Sequence, residues 1–497
     1  MVSRFMSWLR RWRLRMGLVR TMKKLSDFEQ IPIDDEAYQR IEEWKAIYQG
    51  YYEKWHLVKY NTIDGPKTRK MATLKIGKVL ANEMASLIFN EKCEINISDE
   101  KLQKFIDEVF KDNNFYRKFQ EYLEYMFGLS GIVIKPYHSD GKIKLSYITA
   151  DCFIPTAWDN QGIYEGVFLN QTVKGNKRYT LLEWHSWEGK EYVIRNQLFE
   201  SDLNSGGEIG KEVPLSTLYE DLEEEVRINN FKRSNFVYFK PNLANNFDTS
   251  SPLGISIFAN ALDTLHSLDV AFDSFQREFR LGKKRIIVPA SAVRAIPDEH
   301  GNLVRYFDAN DEVYQAMELS DLDEFKIHDN SVELRVEEHV AAINALLNIL
   351  AMQTGFSAGT FSFDGKSMKT ATEVVSENSK TFKTKQSHEI IIESGIQELI
   401  ECIVQTAELY GVFEAPSEWE TIVKFDDSIA QDANAEIDKE VKKVANGLQS
   451  RRRAIMKVQG VSEEEAMKIL QEIIEEERMM ENREPTIDDS VMFGGME

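Results

Sequence analysis

Seven apolar residues, Phe258, Leu262, Leu265, Leu268, Phe272, Phe275 and Phe279, recur at spacings of 4, 3, 3, 4, 3 and 4. That is the period of one helical face. The pattern opens at Ser251-Pro252-Leu253-Gly254 and stops at Gly282, which predicts a helix about 40 Å long at 1.5 Å per residue. A second stripe, Val336, Val340, Ile343, Leu347 and Leu350, starts near Glu333. After Lys283-Lys284-Arg285 and a short strand at Ile286–Val288, residues 290–332 read as a compact α/β excursion, with Val304–Phe307 as a strand. A chain patterned this way holds a long helical hairpin with a small unit at its tip. The stripes offer more apolar face than one hairpin can cover, so neighbouring copies are expected to bury the rest.

The flanking segments read differently. Residues 34–130 are mainly helical in pattern, with Tyr38, Ile41, Trp44, Ile47 and Tyr48, then Ile76, Val79, Leu80 and Met84, as core stripes. From Gly131 to Leu198 the period changes to two. Hairpin turns are expected at Ser139-Asp140-Gly141, Asp159-Asn160-Gln161-Gly162 and Glu188-Gly189, between strands such as Ile132–Tyr137 and Tyr179–His185. The polar stretch Ser201–Ser216 reads as a surface insertion. Beyond the second stripe lies 355–369, a fifteen-residue gap with three glycines and three phenylalanines, Phe356, Phe361 and Phe363. A capping box, Thr370-Ala371-Thr372-Glu373, then starts a helical pattern that reaches Tyr410, with Gly395 as a candidate kink. A strand at Thr421–Phe425 and a helical end complete an α+β chain of 497 residues.

Lys+Arg 61 against Asp+Glu 82 gives −21, which argues against tight nucleic-acid binding by the whole surface. The balance is uneven. Residues 1–24 hold eight bases and no acid, so the rest carries 53 − 82 = −29, and from Val461 onward twelve acids meet three bases. Arg10, Arg11, Arg13, Arg15 and Arg20 interrupt any secretory apolar run. Phe5, Trp8, Trp12, Met16 and Val19 fit one side of an amphipathic helix. Docking on a partner or on its own fold is favoured there over a membrane surface. The uncharged run Val340–Phe363 is long enough for a span, but Asn344, Asn348, Gln353, Gly355, Ser357 and Gly359 make it a buried helix followed by a loop. Three distant cysteines, Cys93, Cys152 and Cys402, point to a reducing compartment and no zinc knuckle.

The search for chemistry returns near misses. Gly359-(x5)-Gly365-Lys366-Ser367 has one residue too many between its glycines for a phosphate-cradling loop, and a helix precedes it where a strand is needed. Lys366 and Lys369 are then the charged donors of a basic loop, or ordinary surface lysines. Lys283-Lys284-Arg285 suits either a phosphate or acidic partner, or the negative end of the preceding helix. No histidine pair has metal-ligand spacing, and Asp308–Glu312 lacks the glycine and final glutamate of a calcium loop. No catalytic residue, metal or cofactor is expected.

The order of segments from Ser251 onward, with Ser251-Pro252-Leu253-Gly254, Lys283–Val288, the Gly/Phe loop and Thr370-Ala371-Thr372-Glu373, resembles a tailed-bacteriophage portal protein of long-tailed phages of Gram-positive hosts. The resemblance spans the chain after residue 24. It implies a ring, commonly of twelve copies, at one capsid vertex in the virion, assembled in the host cytoplasm. The implied parts are a wing (25–250), stem helices (251–282 and 333–354), a clip (283–332), a tunnel loop (355–369), a long wing helix and strand (370–425) and a helical crown with an acidic tail (426–497). The basic arm 1–24 falls outside this map. Implied partners are the packaging motor (terminase), the head-tail adaptor, the major capsid and scaffolding proteins, and double-stranded DNA held without sequence preference. Lys366 and Lys369 would touch DNA, Phe356, Phe361 and Phe363 would pack the tunnel loops together, and Lys283, Lys284 and Arg285 would face a partner or phosphate. On the residues alone, an enzyme with a dispersed active site and a membrane-associated scaffold stay open as other classes.

Overall fold

The computed structural model describes residues 35–62, 65–90, 93–203, 209–282, 285–287, 294–297, 303–306, 328–330, 333–363, 379–425, 433–459 and 463–481. Helix α1 (Asp35–Tyr48) is followed by a single turn, α2 (Glu53–His56), and a hairpin of β1 (Leu57–Thr62) and β2 (Gly65–Lys70). Then come α3 (Ile76–Ile88), β3 (Glu94–Ile97), α4 (Glu100–Asp112) and α5 (Phe115–Leu129). The stripes bury as their spacing predicts: Tyr38, Ile41, Trp44, Ile47, Leu80 and Met84 are all in the core. Tyr48 and Ile76 are half-buried, and Val79 is 41% exposed. Asp99 caps α4 by accepting from the amides of Lys101 and Leu102 at 3.0 and 2.8 Å, which satisfies two otherwise orphaned donors.

Strands β4 (Ile132–Ser139) and β5 (Lys142–Thr149) turn at Asp140-Gly141, where both residues have positive φ, 53° and 73°. That is the turn whose twist matches the paired strands. Beyond them lie β6 (Phe153–Trp158), β7 (Ile163–Lys174), β8 (Lys177–Glu188), β9 (Glu191–Asp202), β10 (Lys211–Val213), β11 (Glu225–Ile228) and β12 (Val237–Phe239). The first sheet runs β12-β4-β5; the second runs β10-β9-β8-β7-β6, with β11 also on β9. The stretch read as an insertion thus supplies β10 and the end of β9. Its polar residues suit a sheet edge open to water.

Helix α6 (Leu262–Leu281) starts later than the apolar pattern suggested. Leu253, Ile255, Ile257 and Phe258 are buried before it begins, because Ile257 N donates to the Phe127 carbonyl at 2.9 Å and holds this segment against the end of α5. Short strands β13 (Arg285–Ile287), β14 (Arg294–Pro297), β15 (Leu303–Tyr306) and β16 (His328–Asn330) follow, paired β13 with β16 and β14 with β15. Helices α7 (Val336–Thr354) and α8 (Ser379–Leu409), strand β17 (Thr421–Lys424), and helices α9 (Ala433–Ala445), α10 (Arg451–Gln459) and α11 (Glu463–Glu481) complete the order. The capping box Thr370–Glu373 lies outside the described residues, as does residues 1–24.

Helix α8 continues through Gly395 as one element. A Cβ there would come within 2.4 Å of the Phe239 ring, so the glycine serves close packing of α8 on β12. One hydrophobic core joins α1, α3 to α5, the first sheet, the base of α6, α7 and α8. At the end of the chain, Glu440 accepts from Lys443 and Lys457 at 2.7 and 3.0 Å, tying α9 to α10.

Candidate functional site

The hairpin of α6 and α7 is rooted in the core and exposed at its far end. Leu265 and Leu268 are buried, Phe272 and Phe275 half-buried, and Phe279 is 44% exposed. Polar clamps take over where burial fades. Asp269 accepts from Leu74 N at 2.9 Å and faces His56 Nε2 at 3.1 Å. Asp273 accepts both arms of Arg69 at 2.8 and 2.7 Å, and Ala72 N at 3.1 Å. Burial pushes the Asp273 carboxyl up, but the Arg69 guanidinium and the Ala72 amide outweigh it and hold the group below its usual range. Further out, Arg335 donates two bonds to Glu278, at 3.1 and 3.0 Å. A Cβ at Gly282 would meet Leu334 at 2.5 Å, so the two segments close tightly just before the excursion. Val270, Phe279, Ile349 and Met352 stay more than 40% exposed.

Past α7 the chain turns at Gly355, where φ is 84°. Phe356 is fully buried. The apolar bulk assigned to contacts between neighbouring loops is therefore, for Phe356, inside the chain's own core. Phe361 packs edge-on against it at 5.1 Å, and Phe363 lies 6.3 Å from Phe272 and 5.8 Å from Phe275. Asn344 Oδ1 accepts from Phe363 N and Asn348 Oδ1 from Gly359 N, each at 2.8 Å. The asparagines that argued against a membrane span thus hold this segment onto α7. Sequence reasoning missed Asp269, Asp273, Asn344 and Asn348 as positioning groups. A chain rich in acids and amides gives no local sign of which ones meet a distant partner. Lys283, Lys284, Lys366 and Lys369 lie outside the described residues, and of Arg285 the structure shows the strand pairing opposite Asn330.

A cleft of about 540 Å³ opens between α1, α5 and the sheets, lined by Tyr48, Tyr122, Tyr147 and Asn170 among others. Its wall carries two ion pairs, Lys45 with Asp151 and Lys135 with Glu183. Burial pushes the Glu183 carboxyl up, yet Lys135 and His185 hold it well below the usual range. Both are closed ion pairs, and Cys152 lines the same cleft beside Asp151. Among the described residues no group of His, Cys, Asp and Glu could hold a metal ion, and no helix is long and apolar enough to cross a membrane.

Residues 27–479 match the family model of the phage portal proteins, SPP1 Gp6-like, and the chain belongs to that family. No curated protein matches it. The family is structural rather than enzymatic, and membership makes the chain a component of the phage capsid. An oligomeric ring working with capsid and packaging components is what the family implies.

Proposed function

We propose that twelve copies form the ring-shaped channel at one capsid vertex, through which the genome is packaged and later ejected. The observation that carries this is the α6–α7 hairpin, which leaves Val270, Phe279, Ile349 and Met352 exposed on one subunit. Exposed apolar residues on both helices of the pair suit contacts with neighbouring copies in a closed ring. In this reading 25–250 with 370–425 form the wing, 251–282 and 333–354 the stem, and 426–497 the crown. Residues 283–332 form the clip, which docks the packaging motor (terminase) and then the tail adaptor. Lys366 and Lys369 of the tunnel loop give weak, sequence-blind phosphate contacts inside a wall of net negative charge, while Lys283, Lys284 and Arg285 at the start of the clip face a partner or phosphate. A conduit must not retain what it passes, since each neutralised phosphate adds affinity. The ring works in the virion after assembly with capsid and scaffolding proteins in the host cytoplasm, and needs no cofactor.

Particle mass tests the reading. Light scattering should find a ring approaching a megadalton; a stable monomer at micromolar concentration in several salts would sink the proposal. Deleting residues 290–328 behind a short glycine linker should leave the ring and abolish motor or adaptor docking. Retained co-purification with the motor would remove the clip assignment.

A further inference from the structure

Residues 51–75 carry six bases (Lys54, Lys59, Lys67, Arg69, Lys70 and Lys75) and two acids, 6 − 2 = +4, in a chain of −21. All five lysines are exposed, and Tyr60 among them is 43% exposed. The segment is not a loose basic loop. Pairing from Leu57↔Lys70 to Thr62↔Gly65 fixes its hairpin, and the Arg69–Asp273 and Leu74–Asp269 bonds fix the hairpin to α6.

A complementary patch lies elsewhere on the same chain. Five of the six residues 220–225 are acids. Glu225 is engaged by Arg195 and Arg227, both at 2.6 Å. Glu220, Asp221, Glu223 and Glu224 are exposed, with Leu222 36% exposed among them. Here too the backbone is fixed: Asn196 donates to the carbonyls of Glu223 and Glu224, each at 2.8 Å. The acids lie between β10 and β11, their backbone held by Asn196 of β9, whereas the bases lie on the β1–β2 hairpin and its flanks, which Asp269 and Asp273 of α6 clamp. Two fixed patches of opposite sign on different elements are what a head-to-tail contact requires, because one copy must offer both surfaces.

We infer that the acidic segment 220–224 of one copy seats on the basic β1–β2 hairpin of the next, Leu222 packing near Tyr60. The inference rests on the ring reading and adds a contact outside the α6–α7 hairpin. Charge alone would also suit duplex DNA on the basic hairpin. A partner within the assembly is favoured because the chain itself supplies the matching acidic surface with an apolar residue at its centre.

Charge reversal decides it. In the full chain, Lys59→Glu/Lys67→Glu/Lys70→Glu should raise the concentration at which rings dissociate by on the order of tenfold or more. The same is expected of Glu220→Lys/Glu223→Lys/Glu224→Lys, and combining both sets should restore assembly. A ring unchanged by either set, with duplex retention lowered by the first alone, would overturn the inference in favour of DNA. Should either triple variant fold poorly, Tyr60→Cys/Leu222→Cys gives a second route. Oxidation should yield a ladder of covalently joined subunits, and intact rings without such a ladder count against the contact. A wild-type chain that remains monomeric overturns the ring reading and this inference together.

Discussion

In the main core Phe89, Phe115 and Phe119 meet one another at 4.8 to 6.2 Å, Phe119 reaches Phe239 at 5.3 Å, and all four are essentially unexposed. Along α6 the phenylalanines emerge in turn as far as Phe279, whose ring contact among the described residues is Phe275, 5.0 Å away. The first region completes its packing within one chain. At the far end of α6, among the described residues, ion pairs at Asp273 and Glu278 do the orienting that a core does elsewhere. Burial supplies stability without fixing direction, whereas a two-armed guanidinium–carboxylate contact sets direction at modest stability.

The sharpest way to break this contrast is to truncate one ring in each region. Phe119→Ala should cost about 3–5 kcal/mol in denaturant unfolding. Phe279→Ala should change the monomer by no more than about 0.5 kcal/mol while weakening rings; equal losses would show that the far end of α6 has a core of its own. Next is His388, buried against Phe127 and accepting from Asn242 N at 3.0 Å, with burial pushing its pKa down to about 4. The unfolded chain, with an ordinary histidine near 6.5, binds the extra proton first. Stability should therefore rise with pH between about 4 and 6.5 and then level off, by up to about 3 kcal/mol. His388→Gln should flatten that slope in thermal melts.

The clamps carry smaller effects. Asp273→Asn should cost about 2 kcal/mol and speed amide exchange in β1 and β2. Its folded pKa is depressed, so its contribution is present above the unfolded value near 4 and is lost as pH falls through the folded one. The variant should lose that acid-side dependence. Arg335→Ala, at an exposed pair, should have the smallest effect on stability, and less again in high salt. A larger loss would mean that Glu278 orients more than the hairpin's end.

Much of the fold was legible because local rules sufficed. Stripes at helical spacing marked α1, α3, α6 and α7, and Asp140-Gly141 marked a turn that tolerates positive φ at both positions. The β1–β2 hairpin escaped notice since Lys59, Lys67 and Lys70 leave no alternation of apolar and polar residues. Both its faces meet water, so its sequence carries no core signal. The start of α6 was misplaced for the opposite reason. Leu253, Ile255 and Phe258 are as buried as a helix face, but an extended segment against α5 buries them. The roles of Asp273 and Asn344 depend on partners at Arg69 and Phe363, a separation that no local pattern encodes.

One strand pairing has a mechanical side. β17 runs antiparallel to β3, with Thr421 opposite Ile97, and Ser98 N donates to the Glu420 carbonyl at 3.0 Å just beyond it. Everything from residue 98 to 420, the helical hairpin included, is a single excursion whose two ends leave this short ladder side by side. A load that spreads those ends meets the rungs one after another, as a peel rather than a shear, and the Ser98–Glu420 rung gives first. This ladder is therefore a zip with a defined opening end, lying beside the shared hydrophobic core and the Arg69–Asp273 clamp that also join the two sides of the excursion. It yields to sideways strain in steps, while pulling on the C-terminal helices alone slides the strand along its length and must strain the rungs together.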